Sequence, residues 1–324
     1  MATRSQRNLR KGTSFFLLVL LLSSRVSIAE SRVSNEIRLG FFPNITHGQA
    51  LYAKATGYFQ THLGVPIKWT AFNAGPTAIE ALFADAIDAT YVGPSPAING
   101  YAKSRGEEIR ILAGAANGGA GLVVQPDQNL KTAADFRGKK IATPQLGNTQ
   151  DVSCRAWLSS GGLKITQLGG DAQVLPTANP DQLSLFQQKK IDAVWTVEPW
   201  VSRLEMEAGG KVLVEESDSP TTVVISSTKF LNANRDLTRK FAEAHRALTE
   251  WIGKNSDEAQ RLVVAELREE TRGQMSAELI AHAWKRITLT SEVRRDALDK
   301  FVANAKAAGF LRDVPDLGQL IVTP

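Results

Sequence analysis

Short apolar runs alternate with stretches whose apolar residues recur at helical spacing, so the chain reads as strand, helix, strand, helix. Residues 37–42 (IRLGFF) form a β-type run, and Pro43-Asn44-Ile45-Thr46 is a turn that can cap a helix over about 47–58. Residues 66–72 are a second strand. Gly75-Pro76 opens the next helix, with proline in the first turn, where its missing N–H costs nothing. Ile79, Leu82 and Phe83 supply that helix's apolar face. Residues 89–92 are a third strand, and Gly93-Pro94-Ser95-Pro96 starts another helix. Residues 109–115 and 121–125 flank the glycine-rich Asn117-Gly118-Gly119-Ala120 and read as a strand pair leaving this first block.

The pattern then repeats. LFADAIDATYVGPSP in the first block is answered by LFQQKKIDAVWTVEPW in the second. Phe83 corresponds to Phe186, Asp88 to Asp192 and Pro94 to Pro199, at offsets of 103, 104 and 105 residues. In the second copy, strands are expected at 139–144, 173–176, 192–197 and 211–215, and helices after Thr149, Asn179 and Pro199. Residues 221–226 (TTVVIS) read as the return crossing to the first lobe. Two similar α/β lobes imply a cleft between them, because ligands bind outside the carboxyl ends of parallel strands. From Arg235 onward the periodicity is helical throughout: 236–254, 256–270, 276–287 and 291–308, with Ser256 as a cap ahead of Asp257 and Glu258. This tail is expected to have no strand to lie beside. The implied division is a leader at 1–29, a first lobe over 36–115, a second over 116–225, and a return with C-terminal helices over 226–324.

Charge sharpens the leader. Five of the 38 Lys and Arg (Arg4, Arg7, Arg10, Lys11, Arg25) fall in the first 29 residues, which hold no acid. Without them the chain has 33 basic against 33 acidic residues, so no basic footprint for nucleic acid remains. The basic start, the apolar core at 14–22 and Ser27-Ile28-Ala29 read as a secretory signal peptide. The apolar run falls short of the roughly 20 residues a spanning helix needs. The other reading is an uncleaved anchor. Cys154 is the only cysteine, so no intrachain disulfide and no cysteine-built zinc site is expected. The mature chain is expected to be a monomer, free in a periplasm.

Helix starts near Thr46, Pro76, Ser95, Thr149 and Pro199 lie directly after strands. Helix N-termini expose unpaired N–H groups with partial positive charge, so several aimed into one cleft make an anion site. Asn44, Thr46, Ser95, Asn148, Thr149 and Gln150 add neutral side chains there. Each helix end is worth about 0.3–1 kcal/mol, whereas micromolar affinity needs about 8 kcal/mol. The remainder calls for hydrogen bonds and an organic tail, with Tyr91, Trp195 and Trp200 as candidate walls. His47 faces either cleft or solvent. Glu198 either orients a loop or meets a cationic part of the ligand. Arg155, deep in its helix, reads as structural.

Three segments carry a family resemblance: IRLGFFPNITHGQAL, GNTQDV at 147–152 with Arg155-Ala156-Trp157-Leu158, and IDAVWTVEPW. They resemble the periplasmic binding proteins of ABC importers for nitrate, sulfonate and taurine. The resemblance implies an α/β type II periplasmic-binding fold: two Rossmann-like lobes with two crossovers and a C-terminal helical segment. It also implies closure on a small organic anion and delivery to an ABC permease in the inner membrane, without cofactor or metal. The contact loops it implies are Asn44 to His47, Asn73 to Gly75, Gly93 to Ser95 and Asn148 to Gln150, with Glu198 and Trp200 also candidates. Pro94 stands where many relatives place an acid or amide, so one side-chain contact is missing. The FFPNITH opening is most similar to the aliphatic sulfonate and sulfate-ester branch.

Two other readings keep the scaffold. One is an enzyme like the fungal pyrimidine-precursor synthases of thiamine biosynthesis, which depend on a cysteine- and histidine-rich segment. This chain has one Cys and four His and lacks HExxH, paired CxxC, G-x-S-x-G and a P-loop. The other is a binder of a cationic or neutral thiamine precursor, with Glu198 beside Trp195 and Trp200 against its ring.

Overall fold

The computed structural model describes residues 1–2, 34–273 and 275–324, so the expected signal peptide lies outside the described residues beyond its first two. The first copy folds as β1 (Ile37–Phe41), α1 (Gly48–Thr56), α2 (Tyr58–Leu63), β2 (Ile67–Ala71), α3 (Gly75–Phe83), β3 (Ala89–Val92) and α4 (Pro94–Lys103). β4 (Ile109–Gly118) and β5 (Ala120–Val124) follow. The second copy comprises β6 (Lys140–Thr143), α5 (Thr149–Ser160), a hairpin of β7 (Ile165–Thr166) and β8 (Gly169–Gly170), β9 (Gln173–Pro176), α6 (Asn179–Gln187), β10 (Ala193–Val197), α7 (Trp200–Ala208) and β11 (Lys211–Glu216). The tail holds β12 (Pro220–Ser227), α8 (Thr228–Ala233), α9 (Arg235–Lys254), α10 (Ser256–Thr271), α11 (Ala277–Trp284), β13 (Ile287–Leu289) and α12 (Arg295–Ala307).

These strands make a six-stranded sheet, β13-β4-β12-β3-β1-β2, and a five-stranded sheet, β11-β5-β10-β6-β9. Within each, three strands are parallel: β2, β1 and β3 in the first, and β9, β6 and β10 in the second. The carboxyl ends of both parallel triplets lead into the loops that form the site.

The repeat has a structural cause. The Asp88 carboxylate accepts from the Arg38 backbone N–H at 2.7 Å, and Asp192 accepts from the Lys140 N–H at 2.8 Å. In each copy an aspartate entering the third strand thus holds the start of the first. The equivalence does not extend to burial: Phe186 is in the core, whereas Phe83 is exposed.

The strands correct three expectations. Residues 109–118 and 120–124 do not pair with each other. β4 pairs with β12 and β13, and β5 with β10 and β11, so the chain changes sheets at Gly118-Gly119. Gly119 has φ +72°, and a Cβ there would lie 2.4 Å from Ile287 Cγ2, so the tight crossing needs glycine. The return crossing comes at residues 217–219, before the expected 221–226, because β12 lies between β3 and β4 along its whole length. The tail is not all helical: β13 adds to β4 as an edge strand, and Ile321 bridges Ile111. The three-residue Ile287–Leu289 is too short to show a β period. A smaller correction concerns α10, where Asn255 takes the cap position and Ser256 is the first helical residue.

Packing follows the periodicity. Phe241, Ala244, Leu248 and Ile252 lie on one face of α9 and join the core over the six-stranded sheet. Helix α12 packs its Leu298, Phe301 and Ala305 with Val152 of α5, so the tail touches both sheets' layers.

Candidate functional site

Loops following β1, β2, β3, β6 and β9 converge on one cavity of about 20 Å³, room for about one water molecule. From the six-stranded side it is lined by Asn44, Thr46, His47, Asn73, Gly75 and Gly93, all expected from sequence. From the five-stranded side come Asn148, Thr149 and Gln150, also expected. Phe42, Asn179 and Thr221 complete the main contacts. Among the described residues no charged side chain lines the cavity.

The GNTQDV segment folds around a buried carboxylate. Asp151 accepts from Thr143 Oγ1 at 2.9 Å, from the Gly147 N–H at 2.9 Å and from Arg155 Nε at 3.0 Å. Those bonds hold the turn that presents Asn148, whose Oδ1 accepts from the Asp151 N–H at 2.8 Å and caps α5. Arg155 is structural, as its sequence position suggested.

Four of the polar side chains share one polarity, whereas Asn73 spends its NH₂ on the Pro144 carbonyl. Asn44 Oδ1 accepts from Trp200 Nε1 at 3.1 Å. Asn179 Oδ1 accepts from Thr196 Oγ1 at 3.1 Å. His47 Nδ1 accepts from the Phe42 N–H at 3.1 Å. Gln150 Oε1 accepts from Asn148 Nδ2 at 3.1 Å. In each case the acceptor is occupied by the protein, which assigns the amide and imidazole orientations. What remains for a ligand is N–H: Asn44 Nδ2, Asn179 Nδ2, His47 Nε2 and Gln150 Nε2. Burial lowers the His47 pKa to about 3, so the ring stays neutral at ordinary pH and donates as an N–H dipole.

The two sides meet closely. The Ser95 N–H donates to Thr149 Oγ1 at 3.3 Å, and Asn73 Nδ2 donates to the Pro144 carbonyl at 3.3 Å. A Cβ on Gly93 would lie 2.3 Å from Thr149 Oγ1, so only glycine permits this approach.

Three expected residues do not line the cavity. Ser95 is buried beside it, and its hydroxyl finds no partner among the described residues. Trp200 acts through Asn44 rather than as a wall, with Arg203 stacked 4.9 Å from its ring centroid. Glu198 is fully buried and bonded to Ser202 and Arg286. The other candidate walls also lie elsewhere. Tyr91 is in the core with its hydroxyl on His245, and Trp195 packs against Trp157. The aromatic surface at the site is Phe42, its ring centroid 4.4 Å from that of His47 with the planes tilted by 31°. Asn179 was missed as a site residue although a signal existed: Asn179-Pro180 stands 104 residues after Gly75-Pro76, the offset that relates Asp192 to Asp88.

A family model described as the NMT1-like family matches residues 31–267. The chain belongs to the NMT1-like family. This NMT1-like chain is 27% identical over 268 residues to a protein of Bacillus subtilis (strain 168) named as an aliphatic sulfonates-binding protein, covering 78% of this chain and 77% of the relative. Among solved structures it is similar to the alkanesulfonate-binding protein SsuA from Xanthomonas axonopodis pv. citri bound to MOPS. The TM-score is 0.74 at 17% identity, over 90% of this chain and 99% of that one. It is also similar to the periplasmic nitrate-binding protein NrtA from Synechocystis PCC 6803, with TM-score 0.70 and 16% identity over 86% and 82%. The NMT1-like chain therefore has the periplasmic-binding-protein fold.

Proposed function

We propose that this protein is the solute-binding component of an ABC importer, working in the periplasm without catalysis. It captures a small organic anion, with an aliphatic sulfonate or sulfate ester favoured over nitrate or taurine. The observation that carries this reading is a polarity shared by Asn44, Gln150, Asn179 and His47: their acceptors are occupied and their N–H groups remain for a ligand. A sulfonate offers three oxygens and no donor, which matches such a set. Neutral donors in a closed site bind an anion without a buried ammonium or guanidinium to desolvate. The names of the Bacillus subtilis relative and the Xanthomonas structure point to the same class.

In this reading the two sheets with their helices are lobes that part and close about Gly118-Gly119 and residues 217–219. Entry of a sulfonate with its tail requires opening, because the cavity is far smaller than the roughly 300 Å³ of an ordinary ligand pocket. Closure is favoured when the anion bonds residues of both lobes, since a ligand shifts the equilibrium only by its differential contacts. The thiamine-precursor reading needed Glu198 at the ligand, and that carboxylate lies outside the cavity.

The test is thermal unfolding against methanesulfonate, longer alkanesulfonates, sulfate esters, nitrate and taurine. A ligand at one hundred times its Kd adds about 2.7 kcal/mol of stability. If none of the panel moves the melting curve, the anion reading fails.

A further inference from the structure

The first turn of α4 is poor in donors. Its first three residues are Pro94, Ser95 and Pro96, and proline has no N–H, so Ser95 carries the single amide among them. Gly93, the N-cap residue, has no side chain to cap it. The Ser95 N–H donates instead to Thr149 Oγ1 at 3.3 Å, and Thr149 is the first residue of α5 on the five-stranded side. A hydroxyl of one lobe thus caps a helix of the other. With that amide spent, these three residues keep no N–H for an anion.

The same contact decides the residue at position 93. Gly93 has φ −68° and ψ 153°, extended backbone that any residue adopts, so its own conformation does not call for glycine. Its lobe does not call for it either: apart from chain neighbours, the nearest atom there to an added Cβ is the Thr221 carbonyl oxygen at 3.6 Å, an ordinary contact. Across the cleft, Thr149 Oγ1 and Cβ would lie 2.3 and 3.2 Å away. Gly75 is the contrast, since a Cβ there would lie 2.3 Å from Pro96 Cγ within the same lobe. Glycine at 75 serves the packing of one lobe, and glycine at 93 serves the approach of the two.

We propose that Gly93, Ser95 and Thr149 form a latch that sets how far the lobes close on a solute. The Thr149 hydroxyl seats over the bare Cα of Gly93 and takes the Ser95 amide. This rests on the solute-binding reading, and it makes Gly93 a positioning residue that acts through Thr149. A β-carbon at 93 fits the open protein and obstructs the closed one. The solute then loses the differential contacts with both lobes that closure supplies.

The experiment measures the interlobe distance by pulsed electron resonance, with and without methanesulfonate. Spin labels are attached at Glu80→Cys in α3 and Ser184→Cys in α6, exposed positions in different lobes. Native Cys154 is buried and its thiol pKa is pushed well up, so the label goes to the introduced cysteines. The starting protein is expected to show the short distance of this structure. Gly93→Ala is expected to remove that component and to weaken methanesulfonate at least about 10-fold in calorimetry. The melting temperature of the free protein should change little, because the N-cap preference for glycine and the stiffer unfolded chain of alanine act in opposite senses. Gly75→Ala, by contrast, should lower it. Thr149→Ala removes the obstructing oxygen, so Gly93→Ala on that background should regain the short component and cost less than about 3-fold in affinity. The proposal is overturned if the short component persists in Gly93→Ala, or is missing from the starting protein in both conditions. It is also overturned if Thr149→Ala gives no relief, which would place the added methyl against the solute itself. If methanesulfonate does not bind the starting protein, that result counts against the anion reading, and the unliganded distances still decide the latch.

Discussion

The indole N–H of Trp200 donates to Oδ1 of Asn44 at 3.1 Å, joining the start of α7 on the five-stranded sheet to the loop after β1 on the other. The bond does more than bridge. By occupying the oxygen it leaves the Asn44 NH₂ as the free end toward the cavity. Trp200→Phe keeps the ring and removes the donor. Loss of one neutral hydrogen bond costs about 1 kcal/mol, so anion affinity should fall about 5-fold while the melting temperature of the free protein changes little. Unchanged affinity in calorimetry would show that the Asn44 orientation does not depend on Trp200.

Asn44→Asp and Asn179→Asp each convert a donor into an anionic acceptor with almost no change in shape. Both positions are buried at the cavity. An added carboxylate beside a bound anion in a site of low effective dielectric should cost several kcal/mol, or at least about 100-fold in affinity. A cationic ligand would instead bind more tightly to both variants, which would sink the anion reading.

Glu198 and Arg286 form a pair 3.1 Å apart, with the carboxylate fully buried and the guanidinium also on Glu205 at 2.6 Å. Removing the cation strands the buried charge, so Arg286→Met should destabilise by about 3 kcal/mol. Glu198→Gln should cost less, and the double variant should cost less than the two singles together, as read by urea unfolding. Because Glu198 lies outside the cavity, Glu198→Gln should change anion affinity by less than about 3-fold, under 1 kcal/mol.

Burial holds two histidines neutral, lowering His47 to about 3 and His245 to about 4 from the ordinary 6.5. Between pH 6.5 and about 4 the unfolded chain binds more protons than the folded one, so stability rises with pH and is lost as pH falls. Each residue contributes up to about 1.4 kcal/mol per pH unit in that window. Glu198 and Glu216, pushed up by burial, run the opposite way, so the contribution is read by difference. His47→Gln should lower the slope of unfolding free energy against pH by one proton. Anion affinity should not rise as pH falls through 6.5, and a 10-fold rise between pH 8 and 6 would show that His47 binds the anion as a cation.

Local chemistry set much of this protein. Apolar runs bounded by Gly-Pro and Asn-Thr turns gave their strands and helices little freedom, because proline, glycine and capping residues act within one turn of their own position. The internal repeat reported two equivalent sheets for a similarly local reason: Asp88 and Asp192 each hold the strand that starts their copy. Nine of the twelve expected site residues line the cavity because loops after parallel strands must emerge on one edge. Tertiary structure alone decided the rest. β13 is too short to carry a period and exists only because β4 offers it an edge. Trp200 reads as a ligand wall in the chain, yet its place across from Asn44 makes it an orienting donor. Glu198 looks available in EPW, and Arg286, 88 residues later, takes it. Such roles depend on which distant residue occupies an acceptor, and no local pattern carries that information.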